Sequence, residues 1–362
     1  MTVAEKSITP PVCLIATGGT AGHVLPALAV GEALRDRGGR VTFAGSPGRF
    51  EAKLVPEAGF EFDAFEVEGL PRRPGLAQIQ AALRATGAVR DCRRIIKRRR
   101  PDVVLGGGGY VAGPMVLAAA GQRIPAALME ADAHLGLANR LSAPLASRVF
   151  LSFPIPERTG EKYVVTGRPI PAVSRVTLTK EEARDRFFFA QEPVLLVVGG
   201  SQGARSLNEL AVESFGAAGP QVLHASGERD FQTLAARVGR PGYRLLPFVP
   251  DYGVALAAAD LVISRAGGSV WEMAAAGLPA ILVPYPFATT DHRTKNARYF
   301  ERAGGAIIVQ ESELGHVPEL ARSLLGDPAR LEQMSAAMAR VARPDAAEQI
   351  AQELIALAAT GR

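Results

Sequence analysis

Short apolar runs alternate along the chain with longer stretches whose apolar positions recur at helical spacing. This alternation predicts parallel sheets covered by helices, an α/β protein. In the first half the pattern predicts strands at Val12–Ala16, Arg40–Ala44, Phe60–Val67, Val103–Leu105, Ala126–Met129 and Val149–Leu151. Helices are expected between them, including His23–Arg37, Gln78–Arg99 and Gly113–Ala120. A passage with Pro144, Pro154, Pro156, Pro169 and Pro171 has no sustained period and reads as the end of one domain and a linker. The strand signal restarts at Val194–Val198 and continues at Gln221–His224, Tyr243–Leu246, Leu261–Ser264, Ala280–Pro284 and Ala306–Val309. A last helix, Ala346–Ala358, carries an apolar stripe that suits packing on either domain. The length, 362 residues, fits two domains. They are expected at 1–166 and 167–342, with 343–362 left to return to the first.

Glycine runs follow several of these strands. Val194–Val198 opens into Gly199-Gly200-Ser201-Gln202-Gly203-Ala204-Arg205 and a helix at Ser206–Phe215. A buried strand ending in small residues before a helix leaves main-chain N–H groups at the positive end of the helix dipole, where phosphate binds. Val12–Ala16 has the same grammar, running into Thr17-Gly18-Gly19-Thr20-Ala21-Gly22-His23. Two such turns suggest two nucleotide-fold halves facing one cleft. Further runs are Gly106-Gly107-Gly108-Gly109-Tyr110 and Arg265-Ala266-Gly267-Gly268-Ser269, the latter opening a helix with Glu272. The first suits either a tight turn or a close ligand approach, and Glu272 either a ribose contact or a solvated surface. No Gly-Lys-Ser/Thr follows either phosphate-type turn, and no acidic residue ends Arg40–Ala44, so Walker and dinucleotide chemistry are disfavoured. No His/Cys cluster or Asp-x-Asp suggests a metal, so phosphate charge would fall to main-chain donors and basic side chains. His23 lies in the first turn of a helix, whose dipole disfavours the imidazolium; it suits a general base or a cap. His224 ends a buried strand and reads as structural.

Composition adds where the surface points. With 48% apolar and 21% charged residues the chain reads as globular. No secretory leader or bilayer-length apolar run is expected, and Cys13 and Cys92 read as free thiols. The net charge of +5 is carried by the first 160 residues. Ten basic residues fall within Leu70–Arg100, among them Arg72, Arg73, Arg84, Arg93, Arg94 and Lys97, against the single acid Asp91. A solvated helix or an anionic lipid contact explains them; nucleic acid is disfavoured because the stretch lacks aromatic residues.

Four segments carry a family resemblance: GGTAGHVLPALAV at Gly18–Val30, PDVVLGGGGYVAGP at Pro101–Pro114, GGSQGARSLN at Gly199–Asn208 and AAAGLPAILVPYP at Ala274–Pro286. DHRTKNA at Asp291–Ala297 adds a weaker one. In order and across nearly the whole length, the chain resembles the MurG family of bacterial cell-wall glycosyltransferases. The resemblance implies a GT-B fold, two Rossmann-like domains with the acceptor on the first and UDP-GlcNAc mainly on the second. It implies inverting, metal-independent transfer of N-acetylglucosamine to the C4 hydroxyl of MurNAc in lipid I, giving lipid II, with no cofactor. Carried over by position, donor contacts are Thr20, Ala21, Gly22, Arg168, Ser201, Gln202, Gly203, Phe248, Val249, Gly267, Gly268, Ser269, Glu272, His292 and Arg293. Acceptor contacts are His23, Gly108, Tyr110, Asp132 and Asn139, with His23 the first candidate base and Glu130 the second. The family's peripheral contact with the anionic cytoplasmic leaflet points to the Leu70–Arg100 stretch. Departures are GGTAGH in place of a second glycine pair, Asp132 for asparagine, Pro171 at an arginine position, Arg293 for glutamine, and an Arg265–Glu272 loop one residue short. Arg168 is the candidate to replace the missing arginine. The other readings are a UDP-GlcNAc 2-epimerase, which uses a similar scaffold, and a non-catalytic membrane-associated sugar-nucleotide binder.

Overall fold

A computed structural model of the chain describes residues 10–67, 76–200, 203–285 and 292–360, with the backbone alone for 76–85 and 292. Two compact units form: one runs to Pro169 and takes in the chain from Asp345 onwards, and the other is Ile170–Pro344.

In the first unit the described strands are β1 (Val12–Ala16), β2 (Arg40–Gly45), β3 (Glu61–Ala64), β4 (Val103–Gly106), β5 (Ala126–Glu130), β6 (Arg148–Leu151) and β7 (Tyr163–Val165). They pair in parallel in the order β3-β2-β1-β4-β5-β6-β7, with Ile15 of β1 opposite both Phe43 and Leu105. Helices α1 (Ala21–Asp36), α2 (Phe50–Glu57), α3 (Leu76–Arg99), α4 (Ala112–Ala120) and α5 (Leu137–Ser142) cover the faces. Burial on both faces explains why Leu14, Ile15 and Ala16 are all apolar and fully buried rather than alternating. β3 stops short of the expected Val67 because β2 ends at Gly45. Phe65 N still donates to Gly45 O, but beyond it β2 offers no partner. The proline-rich passage hides β7, three residues that among the described residues pair only with β6, at the sheet edge.

The second unit repeats the plan. Its elements are α6 (Lys180–Arg186), β8 (Val194–Val198), α7 (Arg205–Phe215), β9 (Gln221–Ala225), α8 (Glu228–Ala235), β10 (Tyr243–Leu246), α9 (Tyr252–Ala258), β11 (Leu261–Arg265), α10 (Val270–Ala275), β12 (Ala280–Val283), α11 (His292–Ala303), β13 (Ala306–Ile308), α12 (Val317–Leu325) and α13 (Pro328–Val341). The described strands run parallel in the order β10-β9-β8-β11-β12-β13. In each unit the chain crosses from one side of the sheet to the other at one strand pair, β1/β4 and β8/β11. The carboxyl ends of such strands are where open α/β sheets bind ligands.

The last helix, α14 (Ala346–Thr360), joins the first unit. Ala347, Ile350, Ala351, Leu354 and Ala358 pack into the cluster that holds Val24, Leu28, Phe43 and Val103. Arg148 at the start of β6 pairs with Glu353 at 3.3 Å.

Candidate active site

In the first unit the Gly18–Gly19 turn and the Gly107–Gly109 turn leave β1 and β4 side by side. A cavity of about 210 Å³ opens there, lined by Gly22, His23, Gly108, Glu130, Asp132, Asn139 and Arg168 among others. His23 stands in the first turn of α1 with Thr20 Oγ1 3.3 Å from its Nδ1. Its ring edge lies on the second glycine turn: a Cβ at Gly108, which has φ +110°, would come 2.7 Å from His23 Cδ2. Burial lowers the imidazole pKa from its ordinary value. The Arg168 cation lowers it further, and Asp132 opposes both. A neutral ring at physiological pH follows, the form a base requires.

Arg168 is placed by a proline. Pro26 has no N–H, so the carbonyl of Gly22, four residues earlier, loses its helical partner. The buried Arg168 guanidinium donates to that oxygen instead. The first unit runs through Pro169, so Arg168 and its contacts belong to it.

Glu130, at the end of β5, is buried and accepts three hydrogen bonds. Asp132 N donates at 3.1 Å, Gly136 N at 2.8 Å and Asn139 Nδ2 at 2.9 Å. Burial raises its pKa and those donors pull it back. Glu130 therefore organises the loop that carries Asp132 and the start of α5 that carries Asn139, in addition to facing the cavity. Thr20 and Ala21 begin α1, and Tyr110 rises beside Gly19, whose Cβ would meet the ring at 3.3 Å.

In the second unit the glycines after β8 are shaped for close approach. A Cβ at Gly203 (φ +71°) would lie 2.1 Å from Ser226 O, and Gly203 N donates to Gly200 O at 2.9 Å. The first turn of α7 follows, its Ser206 hydroxyl held by Arg265 Nη2 at 2.7 Å. Arg265 is buried, ion-paired to Glu311 and bonded to Val283 O at 3.3 Å, so it ties the ends of β11 and β12 to α7. Gly267, Gly268 and Ser269 lead into α10, which carries Glu272 in its first turn. At the end of β10, Phe248 is exposed beside the buried Val249. Arg293 lies exposed in the first turn of α11. Ser201 and Gln202, and the His292 side chain, lie outside the described residues. Among the described residues no group of three His, Cys, Asp or Glu side chains is arranged to hold a metal ion.

The basic stretch is helix α3. Arg98 and Arg99 turn back onto Asp63, and Arg94 pairs with Asp91 at 2.9 Å. Arg90, Arg93 and Lys97 are exposed. Arg72 and Arg73, and the Arg84 side chain, lie outside the described residues. On α4 and α5, Leu117, Leu137 and Leu141 are 46%, 51% and 60% exposed, with Leu145 just beyond; α4 packs against both α3 and α5. No described helix is long and apolar enough to cross a membrane.

Comparison with known sequences fixes the family. The glycosyltransferase family 28 N-terminal domain matches residues 13–151 and the family 28 C-terminal domain matches residues 194–350. The chain belongs to glycosyltransferase family 28. A relative from Halorhodospira halophila, named UDP-N-acetylglucosamine–N-acetylmuramyl-(pentapeptide) pyrophosphoryl-undecaprenol N-acetylglucosamine transferase, is 42% identical over 93% of this chain and 96% of its own. The crystal structure of Acinetobacter baumannii MurG superposes with a TM-score of 0.76 at 29% identity, covering 95% and 99% of the two chains. A UDP-GlcNAc 2-epimerase from Neisseria meningitidis reaches a TM-score of 0.65 at 15% identity, covering 95% and 99%, a likeness of fold alone. The two-domain GT-B expectation is therefore met, and the family is one of transferases.

Two residues escape a reading of the sequence. Glu51 of α2 is fully buried beneath the first glycine turn, and Arg265 serves three elements at once. A glutamate opening a short helix and an arginine ending a strand carry no local mark of either role.

Proposed function

We propose that the chain transfers N-acetylglucosamine from UDP-GlcNAc to the C4 hydroxyl of MurNAc in lipid I, with inversion, giving lipid II. What carries this reading is the match, over nearly the whole length of both chains, to relatives named for that reaction. The cavity around His23 supports it. A neutral imidazole in the first unit takes the acceptor proton as the hydroxyl attacks the anomeric carbon, and UDP leaves from the opposite face. In the second unit, amides of the Gly199–Gly203 turn and the first turn of α7 stabilise the departing diphosphate. Glu272 takes the ribose, and the Val249 main chain reads uracil beside the exposed Phe248. Gly22, Arg168 and Arg293 complete the donor contacts, and Gly108, Tyr110, Asp132 and Asn139 those to the acceptor.

The membrane-facing surface in this reading is the exposed edge of α3 with the leucines of α4 and α5, on the cytoplasmic leaflet. Basic side chains beside apolar ones meet an anionic interface with both charge and area. Incubation with UDP-GlcNAc and a soluble lipid I analogue tests the reaction: the expected product is the β-linked disaccharide. Epimerised sugar nucleotide formed without acceptor, or tight UDP binding with no transfer to any lipid-linked acceptor, would replace it with the epimerase or binder reading.

A further inference from the structure

The first glycine turn already holds an anion. Glu51 is fully buried, and both its carboxylate oxygens accept from main-chain amides. Gly19 N donates to Oε2 at 3.2 Å and Ser46 N to Oε1 at 3.0 Å. Two glycines make room for it. A Cβ on Gly18 would lie 2.1 Å from Glu51 Oε1, and a Cβ on Gly45 would lie 2.7 Å from Glu51 Cγ. Gly19 has φ +96°, but Gly18 and Gly45 are not among the glycines with positive φ. At Gly18 space for the carboxylate, not backbone freedom, excludes a side chain; at Gly45 the main-chain oxygen of Thr17, also 2.7 Å away, excludes one together with Glu51.

The start of α1 depends on this contact. Thr20, its N-cap, makes no side-chain capping bond. The residues leading into the helix are held instead through Gly19 and the Glu51 carboxylate. The same group fixes Ser46, whose hydroxyl lies 3.4 Å from the Tyr110 hydroxyl, and Tyr110 in turn packs on Gly19. One buried carboxylate thus joins the ends of β1 and β2, the entry to α1 and, through Ser46, Tyr110. A turn of amides before a helix is where a bound phosphate would sit. Here the chain supplies the negative charge itself.

We propose that Glu51 is a built-in anion that occupies the Gly18–Gly19 turn and acts as a positioning residue for His23. The kinetic readout rests on the transferase reading above; the structural readout does not. The experiment compares the full chain with Glu51→Gln, Gly18→Ala and the double variant. A glutamine amide can accept from one of the two amides but presents a donor to the other, and an alanine at 18 displaces the carboxylate. Each single variant is expected to lose kcat on the order of 10- to 100-fold through misplacement of the base. Affinity for UDP, whose contacts in this reading lie in the second unit, stays at the wild-type value. Hydrogen exchange rises in peptides covering Gly18–His23 and Gly45–Ser46, and the double variant is no slower than the slower single, because both changes act on one group. Wild-type turnover and unchanged exchange in Glu51→Gln would overturn the proposal, as would losses that multiply in the double variant. A wild-type chain that transfers no sugar would defeat the transferase reading, while the exchange data would still decide on Glu51.

Discussion

At the residue scale, the chemistry turns on the charges that face His23. Arg168, held by the carbonyl that Pro26 leaves without a partner, lines the same cavity as Asp132 and Glu130. Arg168 and burial lower the imidazole pKa, and Asp132 raises it. A base must be unprotonated, so kcat/KM falls as pH drops through the His23 pKa. Arg168→Gln removes a lowering influence, and its acid limb is expected to move to higher pH. Asp132→Asn removes a raising one, and its limb moves to lower pH. Limbs that stay put in both variants would exclude His23 as the titrating base. This polar cluster was only partly legible in the sequence. The glycine turns and His23 carry local signals, because small residues after a strand and a histidine at a helix start stand out; Arg168 was marked only by the family resemblance. Glu51 carries no such signal, since it meets Gly19 from 32 residues away in the chain. The first glycine turn looked like a phosphate grip for that reason: sequence shows the amides but not the carboxylate folded onto them.

At the element scale, β9 is tied to its neighbours through one imidazole. His224 is fully buried; Asn208 Oδ1 of α7 lies 3.0 Å from its Nε2 and the Tyr243 hydroxyl of β10 lies 2.8 Å from its Nδ1. Asn208 Nδ2 already donates to Ser226 O and Asp230 Oδ2. Its oxygen must therefore accept from Nε2–H; burial keeps the ring neutral, so Nδ1 accepts from the tyrosine hydroxyl. Burial pushes its pKa down to about 4. An unfolded histidine titrates near 6.5, so between these values the unfolded chain binds the extra proton and stability rises with pH. Acidification from pH 7 to pH 4 is expected to remove about 3 kcal/mol through this group. His224→Gln is expected to flatten that part of the stability curve, read by urea unfolding at a series of pH values. An unchanged slope would mean that His224 does not carry it. The sequence marked His224 as structural from its place in an apolar strand, but not the partners that keep it neutral. Element ends shifted for a related reason: β3 closes where β2 stops offering partners, a matter of pairing rather than composition.

At the scale of the whole molecule, the alternating pattern sufficed for two parallel α/β units, because doubly covered strands must be apolar throughout and glycine turns mark their carboxyl ends. The charge asymmetry was legible too, though its division was not. Arg99 is drawn inward by Asp63 and the exposed Arg98 is paired with it, while Arg90, Arg93 and Lys97 are exposed on the helix that packs against leucine-bearing α4. Binding to anionic vesicles is therefore expected to weaken with salt. Arg93→Gln with Lys97→Gln should cost about 2 kcal/mol of it, roughly thirtyfold in partition. Sedimentation with phosphatidylglycerol vesicles measures this, and full retention by the double variant would move the contact elsewhere. The packing of α14 reaches into the life of the protein before it is an enzyme. Because Ile350 and Leu354 are built into the core around α1, a nascent chain still on the ribosome has made every strand of its amino-terminal half long before it can seal that half. Until the last helix emerges, an apolar face stays open to chaperones, and the lobe that would carry the base matures only after the intervening 175 residues, Ile170–Pro344, have been synthesised.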